Sequence, residues 1–116
     1  MMELKELQRI PVTTDHLHVV FAYGIIRGIE MMIRDMNYTD AEREQAMRMV
    51  YEENIKPTAD LVRIILGTDR AIGFEPAFME FIVYDNDPAQ IDYEIANKHW
   101  EKEYGRKFLE PKEERD

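Results

Sequence analysis

The sequence predicts an all-α fold, a compact bundle of about five helices around one long central helix over about residues 16–36. Three observations lead there. Helix start and stop signals recur along the chain. The longest apolar run, Val19-Val20-Phe21-Ala22-Tyr23-Gly24-Ile25-Ile26, lies in a segment too long for a strand. No two alternating segments joined by turn residues offer a sheet.

Taken in order, Thr14 or Asp15 is positioned to cap the long helix over His16 to Met36, with Asn37 as a left-handed stop. At 1.5 Å per residue this helix spans roughly 31 Å, the breadth of a small domain. His16, Tyr23, Arg27, Glu30 and Arg34 follow one stripe of it. Arg27–Glu30 and Glu30–Arg34 stand at i,i+3 and i,i+4, so the stripe carries its own charge pairing. The Gly24-x-x-x-Gly28 spacing lets another helix approach closely. Thr39-Asp40-Ala41-Glu42 is a capping box that opens a second helix over Asp40 to Ile55, which Lys56-Pro57 ends. Pro57-Thr58 opens a short third helix to Leu66, closed by Gly67. Pro76, Phe78, Phe81 and Ile82 read as a short amphipathic helix. Phe81-Ile82-Val83-Tyr84 alone suits a strand, but no partner strand is visible, so helix is favoured. Asp87-Pro88-Ala89-Gln90 starts the last helix, which runs to about Tyr104 with Gly105 beyond it.

Residues 1–105 form a single helical domain on this reading, and 106–116 a charged, mobile tail. The 116 residues include 15 Lys+Arg and 24 Asp+Glu, a net charge of −9. The tail carries four bases and four acids, so the whole excess falls on the domain. Such a surface repels phosphate backbones and argues against direct nucleic-acid binding, while it attracts basic partners. The first ten residues lack the apolar core of a signal peptide. The long helix is interrupted by His18, Arg27 and Glu30, short of the roughly 20 apolar residues of a membrane span. A cytoplasmic protein with no membrane contact is expected.

The chain contains no cysteine and no serine, which excludes disulfides, thiolate metal sites, thiol enzymes and serine triads. No glycine-rich phosphate loop occurs. His16 and His18 point to different helix faces. His99 and Glu103, at i,i+4, lie within reach of each other or of one metal. No His-Glu-x-x-His or Glu-x-x-His pattern supports a metal centre. Asp85-Asn86-Asp87 lacks the glycine and glutamate that a calcium loop needs, and Asp87-Pro88 reads better as a helix start. No metal, no cofactor and no catalytic residue is assigned.

Pro57-Thr58-Ala59-Asp60-Leu61-Val62-Arg63-Ile64-Ile65-Leu66-Gly67 follows a helix containing Met47, Val50 and Tyr51. This spacing resembles the helix-turn-helix segment of KfrA-type plasmid DNA-binding proteins. The resemblance implies a DNA-binding regulator using residues 47–67, with Lys56, Arg63 and Arg70 on phosphates. The basic helix and the long coiled coil that follow in that family are absent here.

Between Ala71 and Asn97 the chain has six acids and neither lysine nor arginine, interleaved with aromatics. That composition suits a surface for a basic partner. The expected function is a non-catalytic acidic protein-binding module: an adaptor, accessory or inhibitor protein. In its sharper form it is a small phage-type inhibitor that presents a nucleic-acid-mimicking surface to a nucleic-acid-handling enzyme. Glu75, Glu80, Asp85, Asp87, Asp92 and Glu94 are the electrostatic contacts, and Tyr84 and Tyr93 the aromatic anchors. The alternatives are the helix-turn-helix regulator and a small enzyme or enzyme subunit using His99, which requires a ligand-sized pocket lined by that histidine and carboxylates. A homodimer is also open, because an apolar face on so small a domain is often covered by a second copy.

Overall fold

The structure, a computed structural model, describes residues 4–109. Along the chain come β1 (Glu6–Pro11), a 3-10 turn (Thr14–His16), α1 (Leu17–Asp35) and α2 (Asp40–Val50). A π-helical segment (Tyr51–Ile55), α3 (Lys56–Leu66), β2 (Ile72–Glu75), β3 (Glu80–Tyr84) and α4 (Pro88–Tyr104) follow. The backbone stays helical from α2 through the π segment into α3, so three helical rods pack with one sheet. The fold is α+β and not the all-α five-helix bundle that the sequence predicts.

The sheet is antiparallel with strand order β1-β3-β2. Its central strand is the segment favoured above as a helix. Phe81, Ile82 and Val83 are all buried, so the strand reads as a continuous apolar run without alternation. Its partners are weak strand signals. β1 is a charged, exposed edge strand ending in proline, where a sheet tolerates one. β2 is four residues long and contains Gly73. Ile10 and Phe74 both face Phe81 across the ladder. The β2–β3 turn is closed by Met79, whose φ of 50° is the only positive value outside glycine among the described residues.

Other boundaries depart from the sequence reading in instructive ways. Thr13, not Thr14 or Asp15, opens the turn before α1, and its N–H donates to His16 Nδ1 at 3.1 Å. α1 ends because Met36 turns extended (φ −78°, ψ 153°), not through a left-handed Asn37. Lys56-Pro57 does not end the second rod. The Lys56 N–H donates to the Tyr51 carbonyl, five residues back. In an α-helix the Pro57 ring would press on the carbonyl of Glu53, and here that carbonyl lies in the wider π turn. The two helices of the helix-turn-helix alternative are therefore one uninterrupted rod. The Thr39–Glu42 capping box is present, with the Glu42 N–H donating to Thr39 Oγ1 at 3.1 Å. Gly67 closes α3 at φ 70°, a conformation that favours glycine.

Two apolar clusters form the core. One joins α1, α2 and α4 through Ile26, Ile33, Met47, Val50 and Trp100; the other joins α1 and α3 to the sheet through Val19, Val62, Ile72, Phe81 and Val83. Tyr23 packs against both. Of the segment expected as a mobile tail, Phe108 and Leu109 are buried in the first cluster. The Asn97 side chain accepts from both their N–H groups, at 3.1 and 3.0 Å. Residues 110–116 of that segment lie outside the described residues.

α1 is buried on one face only. By length and composition alone, Thr14–Asp35 is long and apolar enough to cross a membrane. Leu17, Phe21, Ile25, Met31 and Met32 stand exposed on its outward side. Gly28 shares that side and Gly24 stands at its border with the cavity described below, and a Cβ built on either meets nothing within 4 Å. Among the described residues no other helix takes up the close approach their spacing permits.

Candidate functional site

Between the two core clusters the packing leaves a cavity of 510 Å³. It opens among α1, the start of α3, β2 and α4. Val20, Ile26, Ala59, Ile72, Phe74 and Ile95 give it largely apolar walls. Two features keep the space open. Gly73 contributes no side chain, and a Cβ there would stand 3.1 Å from the Tyr84 ring. Ala59 and Ala96 present only methyl groups from α3 and α4.

The polar groups of the cavity gather where α1 faces α4. Glu30 is 2% exposed. Its Oε2 accepts a hydrogen bond from the indole Nε1 of Trp100 at 2.8 Å. Its Oε1 has no hydrogen-bond partner. Around that oxygen stand His99 Nε2 at 3.5 Å and Arg27 Nη1 at 3.9 Å. Arg27 is held from the other side: Nη1 donates to the Tyr104 hydroxyl at 2.7 Å and Nη2 to Glu103 Oε2 at 2.9 Å. Burial, with Glu30 nearby, pushes the Tyr104 hydroxyl above its ordinary pKa. Two carboxyl groups, one guanidinium and the His99 imidazole thus share this corner beside an apolar chamber.

A second pair lines the wall. Asp92 is buried and takes a two-point contact from Arg63, Nη1 to Oδ1 at 3.3 Å and Nη2 to Oδ2 at 3.0 Å. Arg63 also pairs with Asp60. Burial pushes the Asp92 carboxyl upward more than Arg63 pulls it down. Burial likewise raises the Tyr23 hydroxyl, with the Asp92 charge adding to it.

The residues picked from the sequence as contacts for a basic partner are dispersed. Asp92 faces inward on Arg63. Asp85 is exposed but pairs with Arg70 at 3.3 Å, and Glu80 pairs with Arg9 at 3.4 Å. Glu75 and Glu94 are half-buried, and Asp87 is exposed at the start of α4. Tyr84 is half-buried, its hydroxyl raised by burial, and Tyr93 packs against the first core cluster. Arg63, required on phosphate by the regulator alternative, is buried. Among the described residues no three His, Asp or Glu side chains gather as a metal would require.

Sequence reasoning singled out His99 and Glu103 but did not assemble this corner. The i,i+3 pair Arg27–Glu30 forms along α1 at 3.9 Å, while Arg34 pairs with Asp35 and not with Glu30; the shorter contacts run to α4, from Glu30 to Trp100 and from Arg27 to Glu103 and Tyr104. The available signal was a glutamate inside an apolar helix together with the single tryptophan of the chain. No protein-family model, curated protein or solved structure matches the chain.

Proposed function

We propose that this protein is a binding module for a small, largely apolar molecule that carries one cationic or hydrogen-bond-donating group. One observation carries the reading: a 510 Å³ cavity with apolar walls meets a buried carboxylate, Glu30, one oxygen of which accepts no hydrogen bond and has His99 and Arg27 only at 3.5 and 3.9 Å. Volumes of about 300–1,000 Å³ with a few convergent polar groups are typical of ligand sites. A buried carboxylate oxygen without a partner is costly, and a donor from a ligand relieves that cost. Reaching Oε1 requires the His99 ring, half-exposed above it, to shift.

Calorimetric titration tests this with 1-naphthylmethylamine against 1-naphthylacetate, probes of equal size and opposite charge. The amine is expected to bind more tightly, and Glu30→Gln to remove the preference. Ala59→Phe, which fills the cavity, is expected to abolish binding of both, with Val20→Trp as a second blocking variant. Binding that survives in folded variants of both kinds overturns the reading.

A second reading, the acidic partner-binding module, is supported by the β2–β3 turn. Phe78 is 69% exposed there, and Glu75 and Glu80 end the two flanking strands. An exposed aromatic between two carboxylates suits a basic protein surface. Phe78→Ala with Glu75→Lys is expected to abolish salt-sensitive capture of such a partner. A partner retained by that variant contradicts this reading.

A further inference from the structure

We infer that the outward face of α1 is the contact between two copies of this chain, packed antiparallel about a twofold axis between Gly24 and Ile25. The face is continuous: Leu17, Phe21, Ile25, Met31 and Met32 are exposed along it, Phe21 by 70% and Met32 by 66%, and no charge interrupts it. The charged side chains of the helix lie elsewhere, with Glu30 and Arg27 turned toward α4. Gly24 and Gly28 supply the second observation. Each glycine inside a helix costs about 1 kcal/mol relative to alanine. Within one copy neither glycine relieves a clash, since a Cβ on either meets nothing within 4 Å. Gly24 also borders the cavity, but Gly28 does not, and the smallness of Gly28 has a use only if something outside the copy comes close.

The order of large and small residues selects a second copy as that neighbour. With the axis between Gly24 and Ile25, an antiparallel pair sets Phe21 against Gly28, Ile25 against Gly24 and Leu17 against Met32. Each bulky side chain meets a gap or a flexible methionine, which is the self-complementarity that a twofold contact demands. The area suffices as well: the five side chains expose roughly 600 Å² per copy, so a pair buries about 1,200 Å², where stable interfaces begin.

Sedimentation velocity of the full chain at micromolar concentrations is expected to give twice the monomer mass of 13.8 kDa. Phe21→Lys is expected to return it to the monomer mass, with circular dichroism confirming the fold. Gly28→Leu separates specific pairing from general stickiness. It adds apolar surface and fits one copy without a clash, yet it is expected to give a monomer, because it fills the space the partner's Phe21 occupies. The absence of native cysteine makes cross-linking clean. Gly24→Cys, beside the axis, is expected to form a disulfide dimer. Met32→Cys is not, since its two copies stand about 22 Å apart along an antiparallel pair. A monomeric wild type overturns the inference, as does a dimer that persists in both Phe21→Lys and Gly28→Leu. Cross-linking at Met32→Cys overturns the antiparallel arrangement. Flotation of a monomer with phosphatidylcholine–phosphatidylglycerol vesicles assigns the face to membrane and overturns it too.

Discussion

The indole of Trp100 donates to Glu30 Oε2 at 2.8 Å, and both side chains are sealed from solvent. This one bond ties α4 to α1 at the seam beside the cavity. It gives a buried carboxyl group, which Arg27 meets only at 3.9 Å, its one firm hydrogen bond.

Removing the donor alone is therefore the damaging change. Trp100→Phe is expected to cost about 3–5 kcal/mol, from the lost indole volume and from the second carboxylate oxygen left without a partner. Adding Glu30→Met to Trp100→Phe is expected to recover part of that loss, because both polar partners are then gone. Urea melts of the two single variants and the double variant complete the cycle. A double variant less stable than Trp100→Phe contradicts the argument.

Gly73 and Tyr84 make a tighter pair than either residue type suggests. A Cβ on residue 73 stands 3.1 Å from Tyr84 Cε2 and 3.6 Å from Ile95 Cγ2. Gly73→Ala is expected to destabilise by about 1–3 kcal/mol through overpacking of β2 against its neighbour. In a Tyr84→Val background the same change is expected to cost less, since the ring it strikes has been removed. Thermal melts of the four chains measure the difference.

The α2 capping box ties stability to pH in a definite direction. Thr39 Oγ1 accepts from the Glu42 N–H, and Glu42 Oε1 accepts from the Thr39 N–H at 2.8 Å. The Thr39 backbone and hydroxyl hold the Glu42 carboxyl below its ordinary value of 4.5. A carboxyl depressed on folding adds stability that is present above its unfolded pKa and lost as pH falls through its folded one. Thr39→Ala is expected to cost about 1 kcal/mol. Its melts should also lose less stability on acidification below 4.5 than those of wild type.

How much of this was legible follows from which signals are local. The capping box at Thr39, the stop at Gly67 and the α4 start at Asp87-Pro88 depend on residues a few positions apart, and they stand where the sequence places them. The sheet was missed because its central strand finds β1 some 70 positions away. β1, Glu-Leu-Gln-Arg-Ile-Pro, carries neither clear alternation nor a hairpin turn to announce it. The corner at Glu30 was half legible. His99 and Glu103 stood out by type and spacing, but nothing local joins Glu30 to Trp100. The acidic stretch was read from charge alone, and charge does not say that Asp92 turns inward to meet Arg63.

That Asp92–Arg63 contact yields the last prediction. Burial penalises the Asp92 charge more than Arg63 relieves it, so its folded pKa lies above the unfolded value of 3.8. The native state then binds the proton more tightly than the unfolded chain does. The contribution of this group to stability is therefore greatest below 3.8, declines as pH rises to the folded value and is level above it. Arg63→Met takes away the relieving cation and pushes the Asp92 carboxyl higher still. Near neutral pH the variant is expected to lose about 3 kcal/mol, the usual cost of stranding a buried charge. Acidification then lets Asp92 neutralise in place, so the deficit is expected to shrink as pH falls from neutral into the acid range. Adding Asp92→Leu to Arg63→Met is expected to restore most of the loss and to flatten the pH response. Urea midpoints across that range distinguish the cases: a deficit that does not change with pH means the loss came from packing around Arg63, not from the Asp92 charge.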